Sequence, residues 1–149
     1  MTHHSIQTTS NICRRFVTLP ASKKLVLTHT VVVVLILHVA VSLFSLQQIL
    51  HMLRRLSTPK PRQRRFKIDD VLYASAAISR RLSFVTCLVN GLAGQYLLAR
   101  NGYHPTLHIG VKKEVDKALA AHAWVTIDQK VVIGMIDDLD TYTPFSEIG

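Results

Sequence analysis

The chain of 149 residues is 48% hydrophobic with a mean hydropathy of +0.24, which fits one folded domain and excludes a disordered or collagen-like polymer. Its net charge of +9 is unevenly held: residues 1–68 contain 11 Lys and Arg with no Asp or Glu, and residues 69–149 contain 7 basic and all 9 acidic residues. The two cysteines, Cys13 and Cys87, fall one in each part, too few for a disulfide scaffold, and indicate free thiols in a reducing compartment.

Met1 to Thr18 is polar and basic without a sustained period and reads as a frayed terminus. Leu19-Pro20-Ala21-Ser22 offers a helix start, and the apolar segment Leu25 to Leu53 reads as a helix. Its aliphatic run Val31 to Leu37 is a poor intrinsic helix former, but the segment exceeds any ordinary strand. Leu25 to Leu46 is long enough to cross a bilayer. Thr28, His29, Thr30, His38, Ser42 and Ser45 interrupt it, however, and His38, Ser42 and Ser45 at i, i+4, i+7 draw a polar stripe suited to a helix lying on protein. A signal peptide is disfavoured, because the apolar run starts late, is too long and lacks a clear cleavage pattern. Flanking positive charge keeps the C-terminal part in the cytoplasm whether or not residues 25–46 enter a membrane.

Arg54 to Lys67, RRLSTPKPRQRRFK, is a hydrated connection broken by Pro59 and Pro61. It is either a solvated linker or a contact for an acidic partner. Nucleic acid is not expected, because neither a recognition fold nor interleaved aromatics accompany the charge. The chain thus divides into an N-terminal apolar helical segment (1–58), a basic linker (59–67) and a domain (68–149). Within that domain Ile68 to Leu82 reads as an amphipathic helix. A second helix starts near Thr86-Cys87, runs to Arg100 and closes at Asn101-Gly102. Strands are expected at Thr106 to Lys112, Ala121 to Asp128 and Lys130 to Ile136, with Asp128-Gln129 as a two-residue hairpin turn. The order predicts an α+β fold, with helices packed on an antiparallel sheet.

Cys87 stands at a helix start, where unpaired N–H groups and the helix dipole favour negative charge on sulfur and offer hydrogen bonds to an oxyanion. A cysteine nucleophile needs a base, and His122, on a strand beside Ala121, Ala123 and Trp124, is the best candidate. The bland alternative is a buried cysteine and an ordinary strand histidine. Trp124 reads as a packing wall, His104 as solvated, and His108 as pointing away from the Leu107 and Ile109 face. The charged stretch Lys112 to Lys117 reads as a solvent-facing loop. His3, His4, His29, His38 and His51 are too scattered for a metal site, and neither a metal nor a cofactor is expected.

Thr86-Cys87-Leu88-Val89, followed by Gln95-Tyr96-Leu97-Leu98-Ala99-Arg100-Asn101-Gly102, resembles the nucleophile helix of the transglutaminase-like (papain-like) cysteine proteases. More narrowly, the chain resembles the stand-alone leader peptidases of lasso-peptide biosynthesis. The further segments Leu107-His108-Ile109-Gly110-Val111, Ala121-His122-Ala123-Trp124-Val125 and Val131-Val132-Ile133-Gly134 recur in that family's order, and the apolar N-terminal helix with its basic tail also fits. The resemblance implies a catalytic domain over 68–149, with Cys87 as nucleophile and His122 as base. It also implies removal of the leader from a ribosomally made precursor peptide, a small leader-recognition protein as partner, and a separate asparagine-synthetase-like cyclase.

The family's orienting Asp falls twelve residues after the histidine, where this chain has Gly134. Asp128 at the hairpin tip is about 20 Å along the strand from His122 and is rejected as the orienter. Strand alternation across the hairpin places His122 opposite Met135 and brings Asp137 to the His122 side, with Asp138 behind it. A backbone carbonyl or water is the remaining alternative. Two other classes stay open: a catalytically silent scaffold docking partners at a membrane, and a transglutaminase or amidase that resolves the same acyl-thioester with an amine.

Overall fold

A computed structural model describes residues 20–56, 66–113 and 118–148, with side chains up to Pro144. The Met1 to Thr18 terminus with Cys13, most of the linker, and residues 114–117 of the charged loop lie outside the described residues.

Helix α1, Ala21–Leu43, is followed by α2, Leu46–Leu56. The single long helix expected over Leu25 to Leu53 is therefore two helices, and the physical cause is a capping box. The Ser45 N–H donates to Gln48 Oε1 at 3.0 Å, and the Gln48 N–H points back at Ser45 Oγ at 3.4 Å, restarting the helix after the extended residue Phe44. Helix α1 does lie on protein, as its polar positions suggest. The packed stripe of α1 is Val26, Thr30, Val33, Val34, Leu37 and Ala40, and Thr30 is accommodated by donating to the Val26 carbonyl at 2.8 Å. His38 instead leans against Phe84, 5.0 Å between ring centroids, and Ser42 is exposed. Among the described residues α1 is the one helix long and apolar enough to cross a membrane, a test that the core helix of a soluble protein also passes.

Helices α3, Ile68–Ser79, and α4, Cys87–Arg100, pack with α1 over one face of a four-stranded antiparallel sheet. Helix α4 has the bounds expected for it. Its end is a Schellman motif: Gly102, at φ +78°, donates to the Ala99 carbonyl and Tyr103 to the Leu98 carbonyl. The Asn101 side chain then fixes the incoming chain, accepting from Phe66 N–H at 2.9 Å and donating to Leu97 O at 2.7 Å. Ser75 of α3 donates to Asn90 Oδ1 of α4 at 2.8 Å, satisfying two polar groups at the helix interface.

The strands are β1, Thr106–Lys113, β2, Leu119–Ile127, β3, Lys130–Ile133, and β4, Thr143–Ile148, in sheet order β3-β2-β1-β4. Ile127 pairs with Lys130 across the expected two-residue turn, in which Asp128 (φ +48°) and Gln129 (φ +65°) both take the left-handed conformation of a type I′ hairpin. Beyond that pair the register slips by one residue at Val125/Thr126, and β3 ends at Ile133 rather than Ile136. The helices cover the face bearing Leu107, Ala123, Val125 and Ile133, forming one core with α1. Gly91 and Gly94 let α4 approach this face: a Cβ on Gly91 would stand 2.8 Å from Leu107 Cδ1, and one on Gly94 would meet Ile133.

Candidate active site

Strand alternation sends His122 and Trp124 to the sheet face opposite Ala123 and Val125. There the Trp124 ring is almost wholly buried, 6% exposed, and is stacked between two imidazoles. His108 lies 5.4 Å away at an interplanar angle of 11°, and His122 lies 6.2 Å away at 14°. Gly110 makes room for the indole, because a Cβ on it would stand 2.9 Å from Trp124 Cη2. Trp124 is thus the packing wall that the sequence suggests. His108 does point away from the helical face, with Nε2 2.8 Å from Thr126 Oγ1, while His104 is exposed.

His122 Nε2 lies 2.8 Å from the Gly134 carbonyl oxygen. A carbonyl only accepts, so Nε2 carries the hydrogen and, in the neutral ring, Nδ1 holds the basic lone pair. The contact arises from the end of β3. Gly134 turns the chain at φ +82° so closely over β2 that a Cβ would stand 2.6 Å from the Ala123 carbonyl oxygen. The premise that led to Asp137 is therefore corrected: Met135 is not paired with His122, β3 has already ended, and Asp137 lies exposed in a turn.

Asp138 bonds instead to Lys112 Nζ. That hydrogen bond is the main reason its carboxyl is held below the ordinary carboxylate range, with Coulomb attraction to Lys112 and a smaller one to His122 adding to it. The same bond raises the Lys112 ammonium above its usual value. Lys112 Nζ also lies 4.9 Å from the Tyr142 ring centroid, and that ring is tilted against His122 at 5.6 Å. Tyr142 was not singled out from the sequence. It follows the short 3₁₀ turn Leu139–Thr141, whose return to the sheet no local motif announces.

Cys87 occupies the first position of α4, half-buried, with a free thiol. Thr86 caps the helix, its Oγ1 accepting from the Val89 N–H at 3.3 Å. The backbone N–H groups of Cys87 and Leu88 have no intrahelical acceptor by helix geometry and suit an oxyanion. Helix α4 lies on the Ala123 face while His122 projects from the other, and among the described residues no hydrogen bond joins the thiol to the imidazole. Asp128 stays at the hairpin tip. No group of three or more metal-binding side chains occurs among the described residues.

A helix opening on cysteine and an antiparallel sheet with an anchored strand histidine define a transglutaminase-like domain. The family model described as Transglutaminase-like superfamily matches residues 31–147, and the chain belongs to that superfamily, whose members are typically cysteine proteases or acyltransferases. Searches of curated proteins and of solved structures returned no match.

Proposed function

We propose that the chain is a cytoplasmic cysteine endopeptidase that removes the leader from a lasso-peptide precursor, with Cys87 as nucleophile and His122 as base. The observation that supports this reading best is the His122–Gly134 hydrogen bond, because it supplies the orienting acceptor that the missing aspartate would otherwise provide. The Cys87 thiol gives its proton to His122 Nδ1 and sulfur attacks the scissile carbonyl. The tetrahedral oxyanion is received by N–H groups at the start of α4. Collapse breaks the C–N bond, the imidazolium returns its proton to the leaving amine, and water then hydrolyses the thioester. Because α4 and the His122 imidazole lie on opposite faces of the sheet, the step requires a rearrangement in the substrate complex that brings the start of α4 and the imidazole into contact. The leader-recognition protein and the cyclase are the proposed partners.

The purified chain, a precursor peptide and its leader-binding partner are incubated and the products weighed by mass spectrometry. Two fragments that sum to the precursor plus one water are expected, with cleavage falling by about a thousandfold or more in Cys87→Ala and in His122→Ala. Unchanged cleavage by Cys87→Ala would sink the assignment. An amine-bearing product in place of the free acid would mark the acyltransferase branch of the superfamily instead.

A catalytically silent scaffold is the second reading, favoured by the absence of a Cys87–His122 hydrogen bond. Full pathway output from a Cys87→Ala, His122→Ala double variant would establish it.

A further inference from the structure

Helix α1 is apolar on two sides, and only one of them is used by the fold. Val26, Val34 and Leu37 are no more than 2% exposed against the core, while Leu25, Val32, Leu35, Ile36, Val39 and Leu43 face outward at 46–71% exposure. These six residues cover an arc of about 100° and a length of about 27 Å. The other exposed positions between them are Thr28, His29 and Ser42, so this outer face carries no charged side chain. Phe44, 56% exposed just past the helix end, extends it.

We propose that this face of α1 is a membrane-docking surface that lies in the plane of an anionic bilayer, with the rest of the domain seated above the helix. Charge selects the occupant. Lys24 stands at one end of α1, with Lys23 turned to the Tyr73 ring at 5.3 Å, and Arg54 and Arg55 stand in the last turn of α2; residues 1–68 contain no carboxylate to oppose anionic headgroups. The spacing Leu25, His29, Val32, Ile36, Val39, Leu43 would also form a heptad seam with a second copy, with His29 in its core, so charge rather than spacing selects lipid. A crossing orientation would pull the packed stripe, from Val26 to Ala40, out of the core. An in-plane orientation leaves that stripe in protein and places the outer one in lipid.

The test is flotation of the full chain with vesicles of phosphatidylcholine, alone or mixed with phosphatidylglycerol. Binding to the anionic vesicles and not to the neutral ones is expected. An Ile36→Glu, Val39→Glu double variant, with unchanged circular dichroism, should lose about tenfold or more in partitioning. Leu25→Trp, Ile36→Trp and Leu43→Trp should be quenched to equal extents by brominated acyl chains, measured above the wild-type Trp124 background. Three results would each overturn the proposal. One is failure of the wild type to bind anionic vesicles, or equal binding to both kinds. Another is deep quenching at 36 with shallow quenching at 25 and 43, which marks a spanning helix. The third is a soluble dimer broken by the double variant.

Discussion

His122 Nε2 and the carbonyl oxygen of Gly134 are 2.8 Å apart, so the strand histidine is held by backbone rather than by a carboxylate. The position twelve residues after the histidine still serves it, through main chain instead of side chain.

Restoring a carboxylate there should therefore fail. Gly134 has φ +82°, and a Cβ would stand 2.6 Å from the Ala123 carbonyl oxygen and 3.0 Å from Trp124 Cα. Gly134→Asp and Gly134→Ala are both expected to lose about 1–3 kcal/mol, since backbone strain, not charge, sets the cost. Thermal unfolding of the two variants checks this, and a clearly more stable Gly134→Asp would contradict it.

The Lys112–Asp138 pair should give the loop beside His122 a defined pH window. Asp138's folded pKa is lowered from 3.8, chiefly by the hydrogen bond from Lys112, so its stabilisation is present above that value and is lost as pH falls through the folded one. Lys112 is raised from 10.5, chiefly by the same bond, so its share is full below 10.5 and is lost as pH rises through the folded value. The difference in thermal midpoint between wild type and Asp138→Asn is expected to be flat between these limits and to vanish in strong acid. The pair is solvent-accessible, so the difference is small.

Asn101 ties the start of the domain to the end of α4, and its side chain is satisfied on both sides. Asn101→Ala leaves the Phe66 N–H and Leu97 carbonyl without this partner and should cost about 1–3 kcal/mol in chemical denaturation. Asn101→Asp keeps the acceptor but loses the donor and should fall between.

Close approach of α4 to the sheet depends on Gly94, whose missing side chain leaves room for Ile133. Gly94→Leu is expected to destabilise by about 1–3 kcal/mol through overpacking. Ile133→Ala in the same chain should recover part of that loss. A double-mutant cycle measures the coupling, and strict additivity would show that the two residues do not compete for space.

Much of this architecture is local and so was legible in the sequence. Helix α4 is bounded by the Thr86 cap and the Asn101-Gly102 end, and Asp128-Gln129 turns the hairpin, because these signals act over a few residues. The cysteine at a helix start and the histidine on a strand were readable for the same reason. The break at Ser45 carried its own signal, the S-x-x-Q spacing, hidden by the apolar run on either side. Strand β4 was obscured by Pro144, which is tolerated there because β4 is an edge strand.

What holds His122 was decided only by tertiary structure. A one-residue register slip and the end of β3 deliver a carbonyl, and a backbone acceptor has no residue signature. The same is true of α1: its aliphatic composition fixed a helix with more apolar surface than one contact needs, and packing on α3 and α4 selected which stripe was buried and which was left facing outward. Periodicity sets the angle between two stripes of a helix, but only the neighbouring surface determines which of them it covers.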